Sequence, residues 1–263
     1  MPYKRKVLWI VSMDNDADEK RFTQHAQAAG ADTVCIRTDS PQLPGAIGRF
    51  HQLGMKVWGW RWPGVIPGNT GTYTALRQAQ HVVDTLIPAG LDGYIVDPES
   101  DKAGDNNDWN QKKLAPVAQQ FCQILRAGAK GKPFMIGTTS GCTYPAPTGK
   151  PDIPFAEFFA GSDALYPQTY WRAMQDDKKL GKDAPTNIHG GTPAESMKRG
   201  WAAWSPGCLG KPIVPMAGEI NLATPQEIAD YGAELVKRNV SEANFYTDET
   251  DVKPEVLAAI KAL

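Results

Sequence analysis

The feature that most constrains the fold is an alternation of short β-rich runs with longer helical segments along the chain. The β-rich runs favour Val, Ile, Trp and Tyr, and each precedes a segment with apolar residues at helical spacing. Eight strands are predicted, at residues 7–13, 33–38, 56–62, 93–97, 134–138, 164–168, 213–216 and 244–247. Eight such units in 263 residues match the length and element order of a parallel (β/α)8 barrel.

The main alternative is an open doubly wound sheet, which usually carries a glycine-rich phosphate-binding turn after an early strand. The segment after the first predicted strand reads SMDNDADE, which is acidic and contains no glycine. We therefore predict one α/β domain over residues 1–263, a TIM barrel with extended loops after strands five and six, at residues 141–154 and 174–193. Extra loop length on that face of a barrel usually shapes a substrate site.

Composition and charge exclude several classes of function. The 28 basic and 29 acidic residues give a formal net charge of -1, so no general attraction to nucleic acid or to an anionic membrane is expected. No apolar stretch approaches the roughly 20 residues of a membrane span. The histidines and cysteines show no metal-ligand spacing, so we expect neither metal nor cofactor. The cysteines are expected to be reduced thiols, with a Cys142–Cys208 bridge left open.

The N-terminus, MPYKRKVLWIVSMDND, joins basic residues to a short apolar run. That run is about six residues long, shorter than the roughly 7–15 residues of a secretory apolar region. We interpret it as the first strand and expect a monomer made in the cytoplasm without a signal peptide. A substrate outside the cell would then require a specialised secretion machine or phage-style release at lysis.

The stretch LDGYIVDPES ends a buried strand with two carboxylates. Side chains alternate along a strand, so Ile95, Asp97 and Glu99 share one face. Tyr94 and Val96 suit the helix-facing layer, which turns both acids inward at the carboxyl end of strand four, where barrel enzymes hold catalytic groups. Neighbouring carboxylates raise one another's pKa, which can keep one protonated as a general acid. The structural alternative is a helix cap or a surface ion pair.

This stretch resembles the strand-four signature of chitinase-like hydrolases of glycoside hydrolase family 18, in which the last Glu is the acid. The matching positions are Leu91, Asp92, Gly93, Asp97 and Glu99. Ile95 departs from the pattern, because that family commonly has an acid there. The Asp-x-Glu ending is also similar to the lysozyme-type barrels of family 25, which cleave bacterial cell-wall glycan. That group places a further acid at the end of strand one, where Asp14 stands here.

The segment DALYPQTYW is similar to the strand-six segment of the chitinase-like group. The resemblance implies that Tyr166 hydrogen-bonds the N-acetyl group of the substrate. The acid that often follows this tyrosine is replaced by Pro167 and Gln168, and Gln168 becomes a substrate-binding candidate. With Ile95, this departure keeps a catalytically inactive carbohydrate-binding barrel open as the alternative.

Further candidates come from the other strand ends. In KVWGWRWPG, Trp58 and Trp60 are expected to pack against helices. For Trp62, stacking on a sugar ring and packing in the core are both open. Arg61, on the opposite strand face, is expected to point inward near the carboxylates. The remaining candidates for this site are Glu219, Tyr246, Asp248 and Trp171. For Glu219 a helix-start role is the alternative, and for Trp171 an interior one.

The resemblance implies a glycoside hydrolase that cleaves a β-linked N-acetylhexosamine polymer, either peptidoglycan or a chitin-like glycan. Glu99 would protonate the glycosidic oxygen. Asp97 would orient the acetamido group, act as nucleophile or hold a water. Strand geometry separates the two Cα atoms by roughly 6.6 Å, which leaves retaining and inverting outcomes open.

Overall fold

The computed structural model describes residues 3–66, 73–100, 107–174, 185–186, 191–248 and 251–263. Its barrel strands are β1 (Arg5–Ile10), β2 (Thr33–Arg37), β3 (Lys56–Arg61), β4 (Gly93–Val96), β5 (Met135–Gly141), β6 (Ala164–Gln168), β9 (Met216–Ala217) and β10 (Glu242–Asp248). Within the described ranges these strands form a closed parallel barrel in the order β1-β10-β9-β6-β5-β4-β3-β2. β7 (Ala173–Met174) and β8 (Pro185–Thr186) form a small antiparallel pair in the long connection after β6. The predicted TIM barrel is confirmed.

Helices follow the strands as the alternation predicts. They are α1 (Asp16–Ala29), α2 (Leu43–Gln52), α3 (Thr74–His81), α4 (Ile87–Ala89), α5 (Ala115–Gly128), α6 (Phe155–Gly161), α7 (Pro193–Trp204), α8 (Pro225–Lys237) and α9 (Pro254–Ala262). A π-helical turn over Val82–Leu86 joins α3 to α4. Capping boxes at Thr192 and Thr224 start α7 and α8, because each threonine exchanges hydrogen bonds with a glutamate three residues later.

The first and seventh strands differ most from prediction. β1 ends at Ile10, three residues before the predicted end. The seventh strand is reduced to Met216–Ala217, and Ile213 forms only an isolated bridge with Leu165. Pro212 and Pro215 flank that bridge, and proline has no backbone N–H to donate to a neighbouring strand. These prolines explain why the apolar run does not pair continuously.

The interior of the barrel is filled by large side chains. Its buried residues are Val7, Trp9, Cys35, Trp58, Trp60, Ile95, Tyr166, Val214 and Met216. Tyr94 and Val96 belong instead to the layer between sheet and helices, so β4 alternates as predicted.

The prediction that Trp58 and Trp60 pack against helices is wrong, because both lie inside the barrel. Glycines decide the orientation of β3. A Cβ at Gly93 would lie 2.8 Å from Trp58 Cδ1, so the absence of a side chain there makes room for the indole. On the outer face, a Cβ at Gly59 would lie 2.6 Å from Thr38 Cγ2. The helix side of β3 therefore has no space for a larger residue.

All four cysteines are free thiols, so no Cys142–Cys208 bridge is formed. Across the described ranges, no group of three or more His, Cys, Asp and Glu side chains could hold a metal ion. Among the same residues, no helix combines the length and apolar character needed to cross a bilayer.

Candidate active site

A cleft of about 440 Å³ lies at the carboxyl ends of the barrel strands. Its lining residues are Trp9, Trp62, Asp97, Glu99, Asn107, Gln168, Tyr170 and Tyr246. Larger depressions exist, including one of about 660 Å³ beside α1 and α2. Size therefore does not single out the cleft. The cleft is singled out by its combination of two converging carboxylates with aromatic walls.

The backbone that carries the two carboxylates is held from three sides. Asp97 N donates to Arg61 O of β3 at 2.9 Å. Ser140 Oγ of β5 donates to Pro98 O at 2.6 Å. Trp109 N, in the following connection, donates to Glu99 O at 2.8 Å. A segment fixed in this way can hold catalytic groups in a defined geometry.

Gln168 joins the two carboxylates. Its Nε2 donates to Asp97 Oδ1 at 3.1 Å and Oδ2 at 3.2 Å, and to Glu99 Oε1 at 3.1 Å. The amide nitrogen carries two hydrogens, so each carboxylate can receive one. Asp97 is only 3% exposed, whereas Glu99 is partly open to the cleft. The site therefore pairs a deep carboxylate with a more accessible one.

Tyr170 forms a second connected feature of the site. Its ring stacks on Tyr246, with centroids 5.1 Å apart and planes 10° from parallel. The ring packs against the backbone at Gly218, where a Cβ would occupy the same space. Burial raises the pKa of Tyr170 well above its usual value, and nearby acidic groups raise it further, namely Tyr246, Asp97, Glu219 and Glu99. The hydroxyl therefore stays protonated and can donate a hydrogen bond.

Tryptophans form the other wall. Trp62 meets Trp60 edge to face, with ring centroids 4.8 Å apart. The ring centroids of Trp9 and Trp60 lie 5.7 Å apart, and Trp9 Nε1 donates a hydrogen bond to Asn244 Oδ1 at 2.9 Å. Trp62 remains partly exposed, so its indole can contact a ligand. Flat apolar walls with a few convergent polar groups are typical of ligand sites.

Two predicted substrate-binding residues lie elsewhere. Tyr166 is 1% exposed inside the barrel, edge-on to Trp58, and its hydroxyl hydrogen-bonds Glu242 at the amino end of β10. Trp171 is fully buried and packs on Tyr231 with ring centroids 5.6 Å apart. Neither ring lines the cleft, so the predicted substrate contacts of Tyr166 and Trp171 are wrong.

Arg61 and Asp14 also lie away from the carboxylates. Arg61 lies on the face of β3 opposite the inward-facing Trp60, and its Nη1 pairs with Asp39 Oδ2 at 2.7 Å. Its predicted inward orientation is therefore wrong. Asp14 is exposed and accepts a 2.8 Å hydrogen bond from Ser12 Oγ near the start of α1. The acid predicted at the end of strand one is therefore not in the cleft, because β1 ends too early.

Strands seven and eight place their polar residues differently. Tyr246 lines the cleft, as predicted. Glu219 does not line the cleft, but it is near enough for its charge to raise the pKa of Tyr170, which does. Asp248 does not line the cleft, contrary to prediction, because it faces α1, where its Oδ1 lies 2.6 Å from His25 Nδ1.

Three lining residues were not predicted from the sequence: Trp9, Asn107 and Tyr170. Trp9 shares the inward face of β1 with Val7, a signal that strand alternation provides. Tyr170 stands two residues after Gln168, so the same alternation could have found it. No sequence signal marks Asn107.

Comparison with known proteins identifies the fold. No protein-family model matches the sequence, and no curated protein matches it. A family 18 chitinase from Cycas revoluta, solved with allosamidin, has a TM-score of 0.64 at 10% identity, covering 98% of this chain and 99% of that one. The PgaB (BpsB) glycoside hydrolase domain from Bordetella bronchiseptica has a TM-score of 0.60 at 10% identity, covering 97% and 98%.

A tamarind chitinase-like lectin has a TM-score of 0.59 at 14% identity, covering 98% of this chain and 99% of that one. The chain therefore has the fold of chitinase-like TIM barrels. Proteins described as hydrolases and as a lectin share this fold, so the chemistry of the cleft has to distinguish between the two functions.

Proposed function

We propose that the protein is a glycoside hydrolase that cleaves a β-linked N-acetylhexosamine glycan, either peptidoglycan or a chitin-like polymer. The observation that carries the proposal is the bridge from Gln168 to Asp97 and Glu99 within an aromatic cleft. Most glycoside hydrolases use a pair of carboxyl groups beside the glycosidic bond. The cleft supplies both at the end of the barrel where such enzymes work.

The difference in exposure supports the roles that we assign to the two acids. Glu99 is the more accessible acid, so it protonates the glycosidic oxygen as the bond to the anomeric carbon breaks. Asp97, which is buried beneath it, stabilises the positive charge that develops on the sugar ring. In the second step Glu99 takes a proton from the attacking water.

We propose that the reaction retains the anomeric configuration, and the proximity of the two carboxylates supports this. Asp97 Oδ1 and Glu99 Oε1 each lie 3.1 Å from the same atom, Gln168 Nε2. The two accepting oxygens are therefore no further apart than twice that length, a limit that applies to these oxygens and not to the carboxyl carbons. Inverting enzymes need roughly 6.5–9.5 Å between carboxyl groups to fit a water, whereas retaining enzymes use about 5–5.5 Å. Asp97, or the substrate acetamido group that it orients, is then the nucleophile.

The second candidate function is carbohydrate binding without turnover. Ile95 favours it, because this fully buried side chain stands where the resembled family commonly has an acid. The likeness to a chitinase-like lectin is compatible with it. Such a barrel would hold glycan in the same aromatic cleft.

Proton NMR of the newly formed reducing ends tests the proposal. Soluble chitin oligomers and purified peptidoglycan are each incubated with the protein, and the anomeric signals are followed from the first minutes. We expect the β-anomer to appear first and then to mutarotate. Initial formation of the α-anomer would contradict the proposed retention of configuration. Calorimetric binding with no new anomeric signal would instead establish the binding function.

A further inference from the structure

The end of the barrel opposite the cleft holds a second cavity, of about 600 Å³. It is lined by the amino ends of β1, β5, β6 and β10 and by the connections that follow α7 and α8. We refer to it as the amino-end cavity. Its volume falls in the range of about 300–1,000 Å³ that is typical of small-molecule sites.

One wall of the amino-end cavity is apolar. Met135, Val214 and Val240 line it, and all three contact the hydrophobic interior of the barrel. Trp201 also lines the cavity and is partly buried. An alkyl chain placed here would leave water for contact with side chains that are already apolar.

The charges in the cavity are unbalanced. Glu242 Oε2 lies 2.9 Å from Arg5 Nη1, and this ion pair balances the charge of the carboxylate. Lys211 and Arg238 also line the cavity, and neither forms an ion pair with another described residue. The Arg238 guanidinium lies over Trp201, 5.0 Å from the ring centroid. Its Nε is shielded from solvent and finds no acceptor among the described residues, whereas buried donors normally have one.

We propose that the amino-end cavity binds a small amphipathic carboxylate. The apolar chain lies along Met135, Val214 and Val240, and the carboxylate accepts hydrogen bonds from Arg238 and Lys211. An arginine whose Nε is shielded from water and has no acceptor is suited to an anionic head group. An ammonium head group on the same chain would face two cations and be repelled.

Cys208 provides a direct readout, because it lines this cavity and is the one partly exposed cysteine. Cys35, Cys122 and Cys142 are buried, and burial raises the pKa of Cys122 to about 12 and of Cys142 to about 11. Thiolates react and neutral thiols do not, so a maleimide should label Cys208 first. Bound ligand should protect it.

The experiment compares the rate of Cys208 labelling with decanoate, decanol and decyltrimethylammonium, each below its micelle-forming concentration. We expect decanoate to protect most and the cation least. Arg238→Glu should weaken decanoate protection at least about tenfold, as expected for loss of a charge-assisted hydrogen bond. Lys237→Glu is the matched control, because this neighbouring ammonium is exposed and pairs with Glu234.

A second variant separates the proposal from a folding defect. Val240→Trp fills the apolar wall and should abolish protection by decanoate, while the circular dichroism spectrum stays that of the wild type. Equal protection by the carboxylate and the ammonium compound would overturn the proposal. So would labelling of Cys208 that decanoate does not slow. Neither outcome depends on whether the carboxylate cleft hydrolyses glycan.

Discussion

Gln168 Nε2 lies 3.1 Å from Glu99 Oε1, and the same nitrogen contacts both oxygens of Asp97. One neutral amide thus links two carboxylates that would otherwise repel each other. It donates hydrogen bonds without adding a charge of its own. The catalytic geometry proposed for the cleft depends on this link.

Gln168→Ala removes the link and keeps both acids. Hydrogen bonds to a carboxylate favour its ionised form, so their loss should move the acidic limb of the pH profile of kcat/KM to higher pH. The value at the optimum should fall about tenfold or more, as for loss of a hydrogen bond to a charged group. Gln123→Ala, on an exposed position of α5, is the control. An unshifted profile in Gln168→Ala would argue against the link.

Tyr170→Phe keeps the ring stacked on Tyr246 and removes the hydroxyl. Because burial and neighbouring acids raise the pKa of Tyr170 well above its usual value, the hydroxyl is protonated across the assay range. The loss in kcat, about tenfold for one donor, should therefore be independent of pH between about 5 and 9. Tyr73→Phe, at the start of α3, should leave kcat unchanged. A loss that grows with pH would contradict a donor role.

Trp62 and Trp171 should respond differently to truncation. Trp62→Ala removes part of the cleft wall, so we expect a higher KM for glycan with little change in unfolding free energy. Trp171→Ala empties a fully buried site and should lower the unfolding free energy by about 3–5 kcal/mol. Urea denaturation and steady-state kinetics of both variants check the contrast. A stability loss in Trp62→Ala as large as in Trp171→Ala would contradict it.

Glu242 should make stability depend on pH. Burial raises its pKa above the ordinary 4.5, although Asn244, Arg5 and Tyr166 partly oppose the shift. A folded-state pKa above the unfolded value means that the native state binds more protons in the interval between them. Stability from this group is then present at low pH and lost as pH rises through the interval.

Glu242→Gln tests this, because glutamine resembles the protonated acid at every pH. The unfolding free energy of Glu242→Gln relative to the wild type should increase from about pH 4 to about pH 7. Urea denaturation at several pH values provides the comparison. A difference that stays constant with pH would show that the carboxylate titrates alike in both states.

The sequence predicted the barrel because the spacing of strands and helices depends on local apolar periodicity. It also predicted the position of Asp97 and Glu99, since only one face of β4 suited the helices. On β3 both faces were plausible, and the choice depended on Gly93 and Gly59, whose neighbours are distant in the chain.

Tyr166 shows a second limit of predicting site residues from the sequence. The resemblance aligned it with a substrate-binding tyrosine, but Gln168 follows two residues later on the same inward face and occupies the rim. Tyr166 therefore lies one layer deeper, over Gly137, where a Cβ would come within 2.5 Å of its ring. Which inward-facing residue of a strand reaches the cleft depends on where that strand ends. The prediction for Asp14 is wrong for the same reason, because β1 ends at Ile10.

The central claim, that Glu99 is the general acid of a glycoside hydrolase, is tested most directly by release of reducing ends. Wild type, Glu99→Gln and the control Glu255→Gln, exposed on α9, are compared on purified peptidoglycan and on soluble chitin oligomers. We predict that the wild type and the control release reducing ends from at least one polymer. The rate in Glu99→Gln should fall by about 10² or more. Release by Glu99→Gln at the wild-type rate, or no release from either polymer by the wild type, would contradict the claim.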